Sequence, residues 1–340
     1  MNAMLDNPIV PSVDFTKLGI QHGFLKLPYS RDDSAWGALM IPITVARNGT
    51  GPTVLLTSGN HGDEYEGPVA LIKLANAINI EEVNGCVIIL PYMNFPAFRA
   101  ARRTSPIDQG NLNRSFPGKP NGTVTQKIAD YIQRYLLPQA DYILDIHSGG
   151  RSLDFLPFAA IHILEDKQQQ QRCEAGMQAF GAPYSMVMLE LDRGGLFDTA
   201  AESAGKVFVT TELGGGGSAS AKTIGITERG VHRFLVHAGI YKGNLNPVDT
   251  VYLGMPDSDS FVTCLNDGLL EMCMDLGDTI LAGDVIARVH DTTRTGVPAL
   301  EYRSKRNGLM ASRHFPGLIS VGDSLAVIGE VFNPPDRLSS

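Results

Sequence analysis

Cysteine is scarce in this chain of 340 residues. The four present, Cys86, Cys173, Cys264 and Cys273, form no C-x-x-C pair and lack the close spacing of a disulfide framework. A disulfide-stapled scaffold is excluded, and a reducing cytoplasm is the expected setting. Excess positive charge is also missing: 28 Lys and Arg stand against 36 Asp and Glu, for a formal net charge of -8. An extended nucleic-acid partner calls for a basic face, so none is expected. No stretch approaches the roughly 18 apolar residues that span a bilayer, and the opening MNAMLDNPIVPS has neither a basic n-region nor an apolar h-region. Neither export nor membrane attachment is expected. What is present is 43% hydrophobic residues, enough for one large domain or two moderate ones.

The patterning predicts an α/β protein. Val54–Thr57 reads as a buried strand entering the turn Ser58-Gly59-Asn60. Residues 68–80 carry apolar side chains at helical spacing, and 86–90 is β-rich again. The alternation recurs as a helix over 125–137 before a strand at 142–146, then a helix over 173–180 before strands near 184–191 and 206–211. This predicts a mixed, mostly parallel sheet flanked by helices, with ligands at the carboxyl ends of strands. After a helix near 226–239 the composition changes at Asn244-Leu245-Asn246-Pro247. Beyond it come short strands with Gly-Asp pairs at 277–278, 283–284 and 322–323. The expected division is 1–244, catalytic, and 245–340, a small β-rich domain. From Gly268 through Val289 the latter resembles the hairpin fold of biotinyl and lipoyl carriers. Met310-Ala311-Ser312-Arg313 stands where a carrier has its modifiable lysine, so a scaffolding or oligomer-contact role is expected.

Two motifs follow strands. His61-Gly62-Asp63-Glu64 presents an imidazole and a choice of carboxylates, with Asp63 and Glu66 competing with Glu64. His147, in Asp145-Ile146-His147, ends a different strand and offers a second imidazole. Two His and one carboxylate leave a coordination position open, an arrangement used by hydrolytic zinc.

These motifs, with Asn111-Leu112-Asn113-Arg114 between them, resemble the succinylglutamate desuccinylase and aspartoacylase family of zinc hydrolases, akin to zinc carboxypeptidases, over most of residues 50–215. The resemblance implies one Zn2+ on His61, Glu64 and His147, with Asn113 and Arg114 anchoring the substrate carboxylate. A guanidinium fork suits that role, since it meets a carboxylate in two parallel hydrogen bonds. It further implies Glu212, in Thr210-Thr211-Glu212-Leu213-Gly214, as general base and acid, and Arg103 as the cation over the scissile carbonyl, in preference to Arg102 or Arg99. Relatives often have Asp where this chain has Asn111. If that Asp supports a ligand histidine, the duty passes to Asp108 or Asp145. Gly214 to Gly217 lacks a glycine of a phosphate loop and reads as a rim or lid over the cleft.

The surroundings of Arg103 and Glu212 look most like the branch that deacetylates N-alpha-acetyl-L-2,4-diaminobutyrate in ectoine utilisation. The expected partner is therefore a small N-acylated amino acid. Its distal ammonium would need an acidic lining, for which Glu190, Asp192 and Asp198 are candidates. An acidic substrate, as in desuccinylation or aspartoacylase activity, would need a second cationic clamp from Arg151 or Arg193. A zinc carboxypeptidase and a non-catalytic, metal-bearing binding protein are the remaining alternatives. A homo-oligomer is the default state for a metabolic enzyme of this kind.

Overall fold

The computed structural model describes residues 6–333. Residues 1–5, on which part of the reading of the N-terminal segment rested, and 334–340 lie outside it. In chain order the strands are β1 (Val10–Pro11), β2 (Gly19–Pro28), β3 (Ala38–Asn48), β4 (Thr53–Ser58), β5 (Gly85–Leu90), β6 (Tyr142–His147), β7 (Leu153–Phe155), β8 (Phe158–His162), β9 (Tyr184–Met188), β10 (Val207–Glu212) and β11 (Val251–Gly254). The C-terminal part adds β12 (Phe261–Thr263), β13 (Gly268–Met272), β14 (Thr279–Ile280), β15 (Val285–His290), β16 (Leu300–Arg303), β17 (Gly308–His314), β18 (Leu318–Ile319) and β19 (Ser324–Val331). The α-helices are α1 (Glu66–Ala77), α2 (Phe95–Arg99), α3 (Val124–Tyr131), α4 (Lys167–Phe180), α5 (Phe197–Ser203) and α6 (Ala221–His237).

The main sheet runs β1-β2-β3-β5-β4-β6-β10-β8-β9-β11-β19-β17-β14. It is mixed rather than mostly parallel. Parallel pairing joins β5, β4, β6 and β10, and again β8, β9 and β11. The long β2/β3 hairpin pairs antiparallel with β5, β8 runs antiparallel to β10, and the C-terminal strands are antiparallel throughout. A separate antiparallel sheet, β16-β15-β13-β18, completes the β structure of the described residues.

The central strands are buried on both faces, which is why they read as unbroken apolar runs. One face of β4, β5, β6 and β10, through Leu56, Ile89, Leu144 and Val209, packs on Leu71 of α1, Met177 of α4 and Phe234 of α6. The other, through Leu55, Ile88, Ile143 and Phe208, packs on Ile128 of α3, Phe197 of α5 and the β2/β3 hairpin. Two helices start earlier than expected. The Asp166 side chain accepts from the Gln168 and Gln169 N–H groups and caps α4 ahead of a glutamine run with little apolar periodicity, while Ser220 and Thr223 form a capping box on α6.

Candidate metal and hydrolytic site

Parallel pairing in register explains why residues far apart in sequence converge. Ser58 of β4 pairs with Ile146 of β6, and His147 pairs with Glu212 of β10, so the three strands end together. The His147 N–H donates to Thr211 Oγ1 at 3.2 Å, which locks that register at the sheet edge of the site. After β4 the chain turns at Gly59, whose φ of +62° favours glycine. Gly62 then meets the backbone of α2 so closely that a Cβ would lie 2.0 Å from the Ala97 carbonyl carbon. Its N–H donates to Arg102 O at 2.9 Å. That contact sets Arg103 beside the cluster and gives a physical reason for the glycine in His61-Gly62-Asp63-Glu64.

Glu64 lies between the two imidazoles. Its Oε1 is 2.7 Å from His61 Nδ1 and its Oε2 is 2.9 Å from His147 Nδ1. All three residues are buried, and their ligand atoms lie within 4.8 Å of one another. The competing carboxylates are engaged elsewhere: Asp63 accepts the Arg151 N–H, and Glu66 accepts the Thr223 hydroxyl. Asp145, not Asp108, supports a site histidine, its Oδ2 standing 2.8 Å from His147 Nε2, while Thr57 Oγ1 donates to its Oδ1. Asp108 instead accepts from the Thr125 backbone and hydroxyl.

The electrostatics suit a cation. Burial holds His61 below the usual histidine range, in the neutral form that ligates metals. Burial opposes ionisation of Glu64, but His61 and His147 overcome it and keep its pKa low. Burial likewise opposes charge on His147, yet Asp145 and then Glu64 raise its pKa well above the ordinary value. With Asp145 taking the Nε2 proton, the Nδ1 facing Glu64 must either carry a second proton or turn its lone pair to a cation. A divalent metal on Nδ1 meets that demand, so the residues fit one.

Glu212 completes this side of the cavity. Its Oε2 is buried with no hydrogen-bond partner. Burial, then the Glu64 charge, push its pKa up to about 8. Arg103 Nη1 lies 3.8 Å from Glu64 Oε1. A cavity of about 160 Å³ is lined by His61, His147, Glu212, Arg103, Asn113 and Arg114 among others, whereas neither Arg99 nor Arg102 lines it. Asn113 Oδ1 accepts the Phe197 N–H, tying the Asn-Leu-Asn-Arg segment to the start of α5.

The succinylglutamate desuccinylase/aspartoacylase catalytic domain matches residues 50–238. The chain belongs to this family. It is 57% identical over 327 residues to the N-alpha-acetyl-L-2,4-diaminobutyric acid deacetylase of Halomonas elongata, covering 96% of each chain. A product-bound structure of the ectoine utilization protein EutE (DoeB) from Ruegeria pomeroyi superposes with a TM-score of 0.95 at 60% identity, over 96% of this chain and 99% of that one. A crystal structure named as a succinylglutamate desuccinylase, from Silicibacter sp. TM1040, gives 0.94 at 58% identity over 97% and 100%.

In this member of the family, the remaining charged lining of the cavity is acidic, with Glu190 and Asp198. Asp192 sits apart in an exposed turn, accepting the Gly194 N–H. Arg151 and Arg193 are exposed and do not line the cavity, leaving Arg103 and Arg114 as its arginines among the described residues. Sequence reasoning missed two residues behind this wall, His162 and Glu202, whose side chains meet at 2.8 Å. His162 ends a buried strand and could have been noticed there; its partner on α5 has no local signal. Gly214 to Gly217 all have positive φ, Phe315 covers Gly216, and none of the four lines the cavity. No helix of the described residues is long and apolar enough to cross a membrane.

Proposed function

We propose that the chain is a zinc-dependent amide hydrolase that removes the acetyl group from N-alpha-acetyl-L-2,4-diaminobutyrate, as in ectoine degradation. Water is consumed, and acetate and diaminobutyrate are released. The observation that carries this reading is one cavity lined by the two imidazoles of a His-Glu-His donor set and by Glu212, whose Oε2 has no partner, with Glu190 and Asp198 as further acids and Arg103 and Arg114 as its arginines. The name of the Halomonas elongata relative supports the same substrate. The second reading, desuccinylation, follows the name of the Silicibacter structure. It requires a cation for the substrate's additional carboxylate, and neither Arg151 nor Arg193 lines the cavity.

In this mechanism His61, Glu64 and His147 hold the zinc, which when bound supplies Lewis acidity toward water and the acyl oxygen. Arg114, with Asn113, binds the substrate α-carboxylate through charge-assisted hydrogen bonds. Arg103 stabilises the negative charge that develops on the acyl oxygen. Glu212 takes a proton from the attacking water and returns it to the amide nitrogen, which leaves poorly as an anion. A carboxyl raised to about 8 in the metal-free cavity is pulled down when a cation offsets the charge of Glu64, so it works near neutrality in both directions. Asp145→Asn weakens the charged partner of His147 and is expected to lower metal affinity by roughly 10–100-fold, checked by competition with a chromogenic chelator.

The division at 244/245 belongs to the same proposal: 1–244 is the catalytic part, and 245–340, resembling a biotinyl or lipoyl hairpin fold, is a scaffold. Its strand β17 hydrogen-bonds along β7, whose Leu153 and Phe155 line the cavity, and Arg313 lies 3.7 Å from Asp154. The scaffold thus buttresses one cavity wall.

The test is kcat/KM of the zinc-loaded protein on N-alpha-acetyl-diaminobutyrate, acetylaspartate, succinylglutamate and a short peptide, each with a chelated control. A metal-dependent preference for the first is expected. Preference for an acidic substrate overturns the substrate, and chelator-insensitive turnover overturns the mechanism.

A further inference from the structure

Behind the acidic wall lies a buried group that the mechanism above does not use. His162, the last residue of β8, is 3% exposed. Its Nδ1 is 2.8 Å from Glu202 Oε1 on α5, and its Nε2 is 3.6 Å from Glu190 Oε1, beyond the end of β9. That Nε2 is buried without a hydrogen-bond partner. Asp198, in the first turn of α5, brings a carboxylate oxygen to within 4.8 Å of the ligand atoms of His162 and Glu190. Glu190 and Asp198 line the cavity, whereas His162 does not.

Three carboxylates therefore face one imidazole in a largely buried space. Burial opposes charge on His162, but Glu190 and Glu202 raise its pKa to about 10, so it supplies one positive charge. Burial holds the pKa of Asp198 above the ordinary carboxyl value, with His162 opposing it. One imidazolium does not neutralise three carboxylates, and buried charges need partners. The Glu202 clamp turns His162 away from the cavity, leaving Glu190 and Asp198 to present oxygens toward it. An ammonium group, a compact cation with three donors, is matched to such a pair.

We propose that Glu190 and Asp198 form a subsite for a short cationic side chain, and that His162, clamped by Glu202 behind them, is the positioning residue that sets selectivity for substrates carrying that cation. This rests on reading the cavity as that of an N-acyl amino acid hydrolase. The ammonium enters beside Glu190 and Asp198 and completes the charge balance. A neutral side chain of equal length brings no cation to this pair and leaves Glu190 with His162 and Asp198 with the Thr199 N–H and hydroxyl as their partners, so the site disfavours it.

The experiment compares kcat/KM for N-alpha-acetyl-L-2,4-diaminobutyrate with that for N-alpha-acetyl-L-2-aminobutyrate, which lacks the terminal amine, in the zinc-loaded wild type and in Glu190→Gln, Asp198→Asn and His162→Gln. The wild type favours the charged substrate. Each acid variant lowers that ratio by roughly 10–100-fold, the value of a hydrogen bond to a charged group. His162→Gln lowers it through KM for the charged substrate, with kcat moving less. Should His162→Gln not fold, Glu202→Gln keeps the imidazole, removes its clamp and is expected to shift the ratio in the same direction. Equal losses on both substrates would make the cluster merely structural and overturn the proposal. So would a second equivalent of divalent metal bound by the wild type and lost in Glu190→Gln. Turnover of neither substrate by the wild type instead overturns the hydrolase reading, whereas equal turnover of both by the wild type removes the subsite alone.

Discussion

Exchanging Glu212 for Gln abolishes most turnover while preserving fold and metal content, with kcat falling by about 10²–10⁴-fold. The two side chains have the same shape, and the strand pairing that places residue 212 opposite His147 is made by backbone. What the amide cannot do is accept a proton from water and hand it to the departing nitrogen. A second readout isolates the ionisation from the chemistry. In the metal-free protein the Glu212 carboxyl is raised from an ordinary value near 4.5 to about 8, by burial first and then by Glu64. The folded state therefore holds this proton more tightly than the unfolded state, and stability falls as pH rises between those two values. Glutamine mimics the protonated form. The metal-free variant should match the wild type below about pH 4.5, exceed it progressively up to about pH 8 and keep that advantage above it, measured as the thermal midpoint across a pH series. Retained turnover would remove Glu212 from the mechanism, and a pH-independent difference in midpoint would show that its carboxyl is not held protonated by the cavity.

How much of this was readable in the chain differs from residue to residue, for physical reasons. His61, His147 and Glu212 each follow or end a run of buried residues, and that position signals a site whenever the strands are neighbours. The local pattern could not choose among Asp63, Glu64 and Glu66, because three carboxylates within four residues differ only in the directions the turn gives them. The turn depends on Gly62 fitting against the Ala97 backbone, a contact made 35 residues away. The same limit applies to the acids near 190. Asp192 carries a carboxyl group just as Glu190 does, yet it folds back to the Gly194 N–H in an exposed turn while Glu190 lines the cavity. The sequence pattern points to a mostly parallel sheet because the parallel centre carries the stronger apolar signal, whereas the sheet is mixed. The β2/β3 hairpin alternates buried and exposed residues over much of β2 and is joined by a polar loop. Periodicity shows that such segments are strands but does not give their direction.

Removing the charge of Glu64 has the other large effect, and it reaches both metal and fold. Glu64→Gln leaves one neutral oxygen where two carboxylate oxygens meet His61 and His147. Zinc affinity is expected to fall beyond the roughly 10–100-fold of a supporting residue, and activity with it, if Glu64 is a ligand as proposed and not a residue behind the ligands. The metal-free protein also suffers. His147 is held charged by Asp145 and Glu64 together, burial opposing them, and breaking one side of a buried ion pair costs about 3–5 kcal/mol. The sign with pH is the reverse of that for Glu212. The folded pKa of Glu64 is depressed, despite burial, by His61 and then His147. Its stabilisation is therefore complete above the ordinary carboxyl range and is lost only as pH falls through that range toward the lower folded value. Denaturant unfolding of chelated protein should show wild type and variant far apart at neutral pH and converging in acid. Glu66→Gln is the control, since Glu66 is buried beside the same cluster but bonds Thr223. It should keep one zinc per chain by elemental analysis. If Glu66→Gln loses the metal and Glu64→Gln keeps it, the carboxylate ligand has been assigned to the wrong side of the turn.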